Sequence, residues 1–205
     1  MGILIDSRGL SMRFSIYTIV LMMNDFEIWF ERLSSLYRSQ MRQAASAAGL
    51  QVVHLEILQY LSIGNRYSNT AQALSEYLGQ TKGSISQSLK ILDKDGYVAR
   101  KPCLKDKRIT RLFLTKRGRV SLEKMSSLLM PNLGETEKDV DAIRLLLQKW
   151  QANNNHKGFG QCLSCRYNRQ LSDAKFQCGL TGESLSKSET RQICREHEFL
   201  IVKQT

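Results

Sequence analysis

The sequence predicts a mainly α-helical chain that carries one short β-hairpin and ends in a small cysteine-rich module. Three observations support this. Apolar residues recur at steps of three and four over most of positions 25–153. Strand-like runs are confined to Tyr97–Arg100 and Arg111–Leu114. Four of the five cysteines, Cys162, Cys165, Cys178 and Cys194, fall within the last 44 positions. A length of 205 residues with 42% hydrophobic content allows one ordinary domain and a small extra unit. The expected division is an extension over 1–23, a helical core with a hairpin over 24–154, and a cysteine module over 155–205.

In the extension, Arg8 and Arg13 precede an apolar stretch from Phe14 to Met23 that faintly imitates a signal sequence. No small-residue cleavage pattern follows, and the stretch is too short to span a bilayer. The segment is expected to be disordered or to precede a true start at Met22 or Met23, and the chain is expected in the cytoplasm with no membrane partner. From Asp25 to about Ala48, Phe26, Trp29, Phe30, Leu33, Leu36, Tyr37, Met41 and Ala44 form a single apolar stripe, which predicts the first helix. A second runs over Leu50–Leu61 and stops at the turn pair Gly64-Asn65. A third starts at Asn69 or Thr70 and ends at Gly79, which permits the left-handed turn into a fourth helix at about Thr81–Asp95. After the hairpin, helical periodicity returns through Val120, Leu122, Met125 and Leu129, breaks at Pro131, and resumes from about Glu135 to Asn153.

The charge is concentrated. The chain carries a net +11, and residues 80–119 hold twelve basic residues against three acidic ones, so this stretch supplies +9 of it. No Glu occurs there, although an ordinary surface helix would include some. On the fourth helix Ile85, Leu89 and Leu92 share one face, while Thr81, Lys82, Ser84, Ser86, Gln87 and Lys90 lie toward the other. Ser and Gln can exchange hydrogen bonds with base edges and phosphates, and Lys supplies a point charge. A helix, a glycine turn, a polar helix and a basic hairpin make a winged helix-turn-helix in outline, so the expected partner is double-stranded DNA.

The stretch Asp106-Lys107-Arg108-Ile109-Thr110-Arg111-Leu112-Phe113-Leu114-Thr115-Lys116-Arg117-Gly118 resembles the DxRxxxLxLTxxG wing signature of the MarR family of transcription regulators. Ala73–Gly79, Ser84-Ile85-Ser86 and Leu89–Val98 are similar to that family's helix-turn-helix core, and the likeness covers about 25–153. The resemblance implies a homodimer, assembled by the first helix and the last two helices of the core, on a pseudo-palindromic operator. If the cysteine tail holds zinc, a small-molecule effector is expected between the dimerisation helices and the DNA-binding lobe; if it holds an iron-sulfur cluster, the state of the cluster is expected to bias the dimer between conformations that do or do not match the half-sites. The resemblance makes Arg108 the minor-groove arginine, with Lys107 and Arg111 beside it as DNA contacts and Asp106 orienting the wing. The alternative is a nucleic-acid-binding or protein-interaction module without operator specificity that carries a structural zinc.

Cys162 and Cys165 form a C-x2-C pair, with Cys178 and Cys194 spaced singly after it. About fifty residues with few large apolar side chains make little core, and metals commonly supply the missing stability at this size. In a reducing compartment such a cluster points to a metal rather than disulfides. Structural zinc with four cysteine ligands is slightly favoured over an iron-sulfur cluster, although a zinc ribbon ordinarily has two close pairs. Cys103 is expected to be a packed, inert thiol. An enzyme is not expected: His54, His156 and His197 are scattered, and no phosphate loop, GxSxG or carboxylate pair with acid/base spacing occurs. His54 is expected as a satisfied core or interface histidine, and His197 as a non-ligand.

Overall fold

The computed structural model describes residues 4–5, 11–12, 24–104, 106–129, 134–154 and 158–199. In the N-terminal extension, Leu4–Ile5 (β1) and Ser11–Met12 (β2) pair antiparallel, a short ladder where disorder was the expectation. The rest of that extension, Lys105, Pro131, His156 and residues 155–157 of the expected linker lie outside the described residues.

Helix α1 (Asp25–Ala47) opens with a capping box in which Asn24 accepts from the Glu27 amide and Glu27 accepts from the Asn24 amide. Only its C-terminal half is buried, through Met41, Ala44 and Ala45. Helix α2 (Val52–Ile63) runs through the middle of the core and buries Leu55, Ile57, Leu58 and Tyr60. Thr70 caps α3 (Ala71–Leu78), and Gly79 ends it at φ 62°, a conformation that costs a residue with a Cβ. Thr81 then caps α4 (Lys82–Lys94), whose Ile85, Leu89 and Leu92 pack inward.

The hairpin pairs β3 (Val98–Pro102) with β4 (Thr110–Leu114) in the register Val98↔Leu114 to Pro102↔Thr110. Both strands reach further toward the tip than the apolar pattern indicates, because the Cys103 amide also bonds to the Ile109 carbonyl at 2.8 Å. Helix α5 (Lys116–Ser126) starts four residues before Val120, since its first turn is polar and hidden from a hydrophobic pattern. Thr115 sets that start: its hydroxyl accepts from the Gly118 amide at 3.0 Å and donates to the Gly96 carbonyl at 2.6 Å. Gly118 is required there, as a Cβ would meet the Tyr97 carbonyl oxygen at 2.2 Å. Helix α6 (Glu137–Asn153), capped by Thr136, buries no residue.

The module at 158–199 is a set of short ladders. Gly160–Gln161 (β5) pairs with Ile193–Cys194 (β9). Asn168–Ser172 (β6), Lys175–Cys178 (β7) and Ser184–Leu185 (β8) form a three-stranded sheet in that order. Its own core is Cys162, Phe176 and Leu185, with Tyr67 and Cys178 against them. Phe159 instead joins the main core, where its ring meets Tyr60 and Tyr77 edge-on. The module sits on the turn between α2 and α3. The Asn65 amide bonds to the Ile193 carbonyl, the Arg195 amide bonds to Ser68 Oγ, and the Arg195 guanidinium makes a two-armed pair with the Glu76 carboxylate. No described helix is long and apolar enough to cross a membrane.

Candidate nucleic-acid interface

The polar face of α4 stands clear of the core. Lys82, Ser86, Gln87 and Lys90 are exposed and Ser84 is half-buried, while Ile85, Ser88, Leu89 and Leu92 are buried. Thr81 is exposed, and its hydroxyl accepts from the Ser84 amide at 3.2 Å, so it shapes the helix start as well as bordering the surface. The hairpin is tied to this helix by Arg100 of β3, whose Nε donates to Asp93 at 3.0 Å.

At the tip of the wing Asp106 grips Arg108. The backbone N–H and the Nε of Arg108 each donate to Asp106 Oδ1 at 3.0 Å, and Nη2 donates to Oδ2 at 2.9 Å. The Arg108 side chain is nonetheless 90% exposed, so the guanidinium is held in one direction without being covered. These bonds hold the Asp106 carboxyl below the ordinary aspartate range and the Arg108 guanidinium above its own. Lys107 is exposed beside them.

Arg111 is placed differently from the other proposed DNA contacts. It is half-buried at the root of the wing, where Nη1 donates to the Tyr67 carbonyl at 3.1 Å and to Asn69 Oδ1 at 3.2 Å. Asn69 in turn donates to the Leu112 carbonyl at 3.2 Å. This arginine braces β4 against the turn before α3.

A second constellation lies on the far side of that turn. Cys162, Cys165, Cys178 and Cys194 line one cavity of about 70 Å³, together with Asn65, Tyr67, Tyr167, Leu180 and Leu185. None of the four is in a disulfide. Burial, and then the neighbouring Cys165, Cys194 and Cys178, push the Cys162 thiol up to about 12, and burial also raises Cys194. As placed, burial therefore favours the protonated form of Cys162 and Cys194, and a cation bound to them would have to displace those two protons. Among the described residues, no group of three or more His, Cys, Asp or Glu is positioned to hold a metal ion. His197 is buried outside this lining, with Nε2 against Ser164 Oγ at 3.1 Å and its imidazole filling the space beside Gly160.

Asn65 and Tyr67 are contributions from the core that the sequence does not flag. Gly64-Asn65 signals only a turn, and nothing in the order of residues indicates that the last strand returns to it. Cys103 is half-buried beside a groove between the wing and Tyr67. His54 is buried and half satisfied: Nδ1 accepts from the Gln51 amide at 3.3 Å, while Nε2 has no hydrogen-bond partner among the described residues. A larger cavity of about 490 Å³ opens between α1, α2 and α5, lined by Tyr37, Glu56, Tyr60, Tyr77 and Leu122 among others.

Residues 48–109 match the profile of the MarR family. No curated protein matches the sequence. Among solved structures, a MarR-family transcriptional regulator from Silicibacter pomeroyi is 23% identical, with 61% of this chain and 86% of that one covered at a TM-score of 0.52. CouR from Rhodococcus jostii RHA1, solved with p-coumaroyl-CoA, is 17% identical, with 62% and 92% covered at 0.52. Both likenesses are of fold. With the profile match over the helix-turn-helix and the observed order of elements, they give the core of this chain a winged helix-turn-helix fold similar to that of MarR-family regulators.

Proposed function

We propose that the chain is a transcriptional repressor that binds a pseudo-palindromic operator as a homodimer. The observation that carries this reading is the wing tip, where Asp106 orients an otherwise exposed Arg108 beside a recognition helix whose one acidic residue, Asp93, is paired with Arg100. Arginine suits a narrow, electronegative minor groove, and pre-orientation lowers the entropy lost on insertion. Thr81, Lys82, Ser84, Ser86, Gln87 and Lys90 form the major-groove surface, with Lys107 on the adjacent phosphates. Arg111 supports the wing from behind.

Dimerisation is supported by apolar side chains on the outer helices that the single chain leaves uncovered. Trp29, Leu33 and Leu36 on α1 and Ile143, Leu146 and Trp150 on α6 are 44–71% exposed, and Phe30 stacks on Trp150 at 5.9 Å. A contiguous apolar patch of this kind marks an association surface. The 490 Å³ cavity beneath α1 is the proposed effector seat; burial raises the Glu56 carboxyl at its wall. The four cysteines form a metal-held module that completes the turn behind the wing.

Selection of bound genomic fragments, followed by footprinting at several salt concentrations, tests the assignment. Two protected half-sites about one helical turn apart are expected. Uniform binding to all sequences, governed only by salt, would favour a non-specific nucleic-acid binder instead.

A further inference from the structure

The cavity between α1, α2 and α5 differs in charge from the chain around it. The protein carries a net +11, yet among the described residues lining this cavity none is Lys, Arg or His, and the one ionisable side chain besides its tyrosines is Glu56. Glu56 is half-buried, burial raises its carboxyl, and no cation among the described residues offsets its charge. Three tyrosines from three helices line the same space, Tyr37 on α1, Tyr60 on α2 and Tyr77 on α3. The Tyr60 and Tyr77 ring centroids lie 4.6 Å apart, and Tyr37 is within electrostatic reach of Tyr77. Tyr37 and Tyr77 remain 41% and 40% exposed, so they have aromatic surface left to offer an occupant, and Met41 and Leu122 add apolar wall.

We propose that this cavity takes a small organic monocation, an ammonium ion with an apolar body. The proposal rests on the reading of the cavity as an effector seat and adds the charge of what sits there. The choice follows from what each kind of occupant does to Glu56. A neutral apolar molecule strips water from the carboxylate and returns nothing for it. An anion adds repulsion in a site screened less than bulk water. A cation compensates the carboxylate, and its charge also suits the negative faces of the tyrosine rings. The volume of about 490 Å³ lies within the ordinary range of small-molecule sites. Through Tyr77 the occupant also touches α3, the first helix of the helix-turn-helix pair, which links the seat to the DNA-binding surface.

The test is isothermal titration calorimetry of the full chain with benzyltriethylammonium, and with phenylmethanesulfonate as an anion built on the same ring. The basic surface at large attracts the sulfonate, so a preference for the ammonium ion is a local signature. The ammonium ion should bind at least about tenfold more tightly than the sulfonate. Glu56→Gln should remove that preference, Glu56→Asp should keep most of it, and Tyr37→Leu should weaken ammonium binding about threefold, each with the far-ultraviolet helical signal preserved. The ratio of the two affinities in the unaltered chain decides the question even where a variant does not fold. Preference for the sulfonate, or a preference for the ammonium ion that Glu56→Gln leaves intact, overturns the cation; the effector seat still stands if Tyr37→Leu weakens whichever probe binds. If neither probe binds, or if no variant changes the binding of either, the cation and the seat both fall.

Discussion

The helical core and the cysteine module bury their side chains by different means. In the core, Leu55, Ile57, Leu58, Leu74, Ile85, Leu89 and Leu92 are at most 1% exposed and form one continuous cluster. The module gathers only Cys162, Phe176 and Leu185. What fixes it in place is polar: Arg195 on Glu76, Arg66 on Glu189 and on the Ser184 carbonyl, and the Tyr67 hydroxyl on Glu183. The core can offset its conformational entropy by apolar burial, whereas a unit of this size cannot do so alone and depends on its seat against the core.

This contrast can be broken most directly in the core. Leu58→Ala should cost about 2–5 kcal/mol in the main unfolding transition, because the side chain is fully enclosed. Phe176→Ala should leave that transition in place while exposing the module to protease; a matching fall in both would show one cooperative unit. Arg108→Ala should lower operator affinity by roughly tenfold in a binding titration and leave dimer and module unchanged. Unchanged affinity would remove the wing from the interface. Glu76→Gln withdraws the carboxylate from Arg195, a pair whose side chains are 27% and 19% exposed. It should loosen the module by about 1–2 kcal/mol, read as faster proteolysis after residue 154 with the core melting point preserved.

The smallest effect concerns pH. Burial holds His54 below the ordinary histidine value. Its contribution to stability is therefore complete above the unfolded value of about 6.5 and is lost as pH falls from there through the folded value. Melting temperature measured from about pH 8 to pH 5.5 should decline on the acid side, and His54→Gln should flatten that decline.

The helical periods, the Gly79 turn, the Thr81 cap and the wing were legible because each depends on neighbours a few positions away. The start of α5 was obscured by Lys116, Arg117 and Arg119, which give its first turn no apolar mark. Arg111 looked like another cation of a basic hairpin, since its partners Tyr67 and Asn69 lie more than forty residues earlier. The shared wall of the cysteine cavity was hidden for the same reason on a larger scale. Asn65 meets the module through a backbone bond and Tyr67 through both its hydroxyl and its ring, and contacts between positions so far apart leave no period in a sequence.

The bonds between module and core also set an order in time. Arg195 reaches Glu76 across 119 positions and Ser68 across 127, whereas the wing joins the turn before α3 across 43, from Asn69 to Leu112. Loops that long close late, and chains emerge from the ribosome N-terminus first. The winged helix-turn-helix is thus already formed when Cys194 is made, so the cysteines assemble on a finished platform, and Asn65 waits there for the last of them.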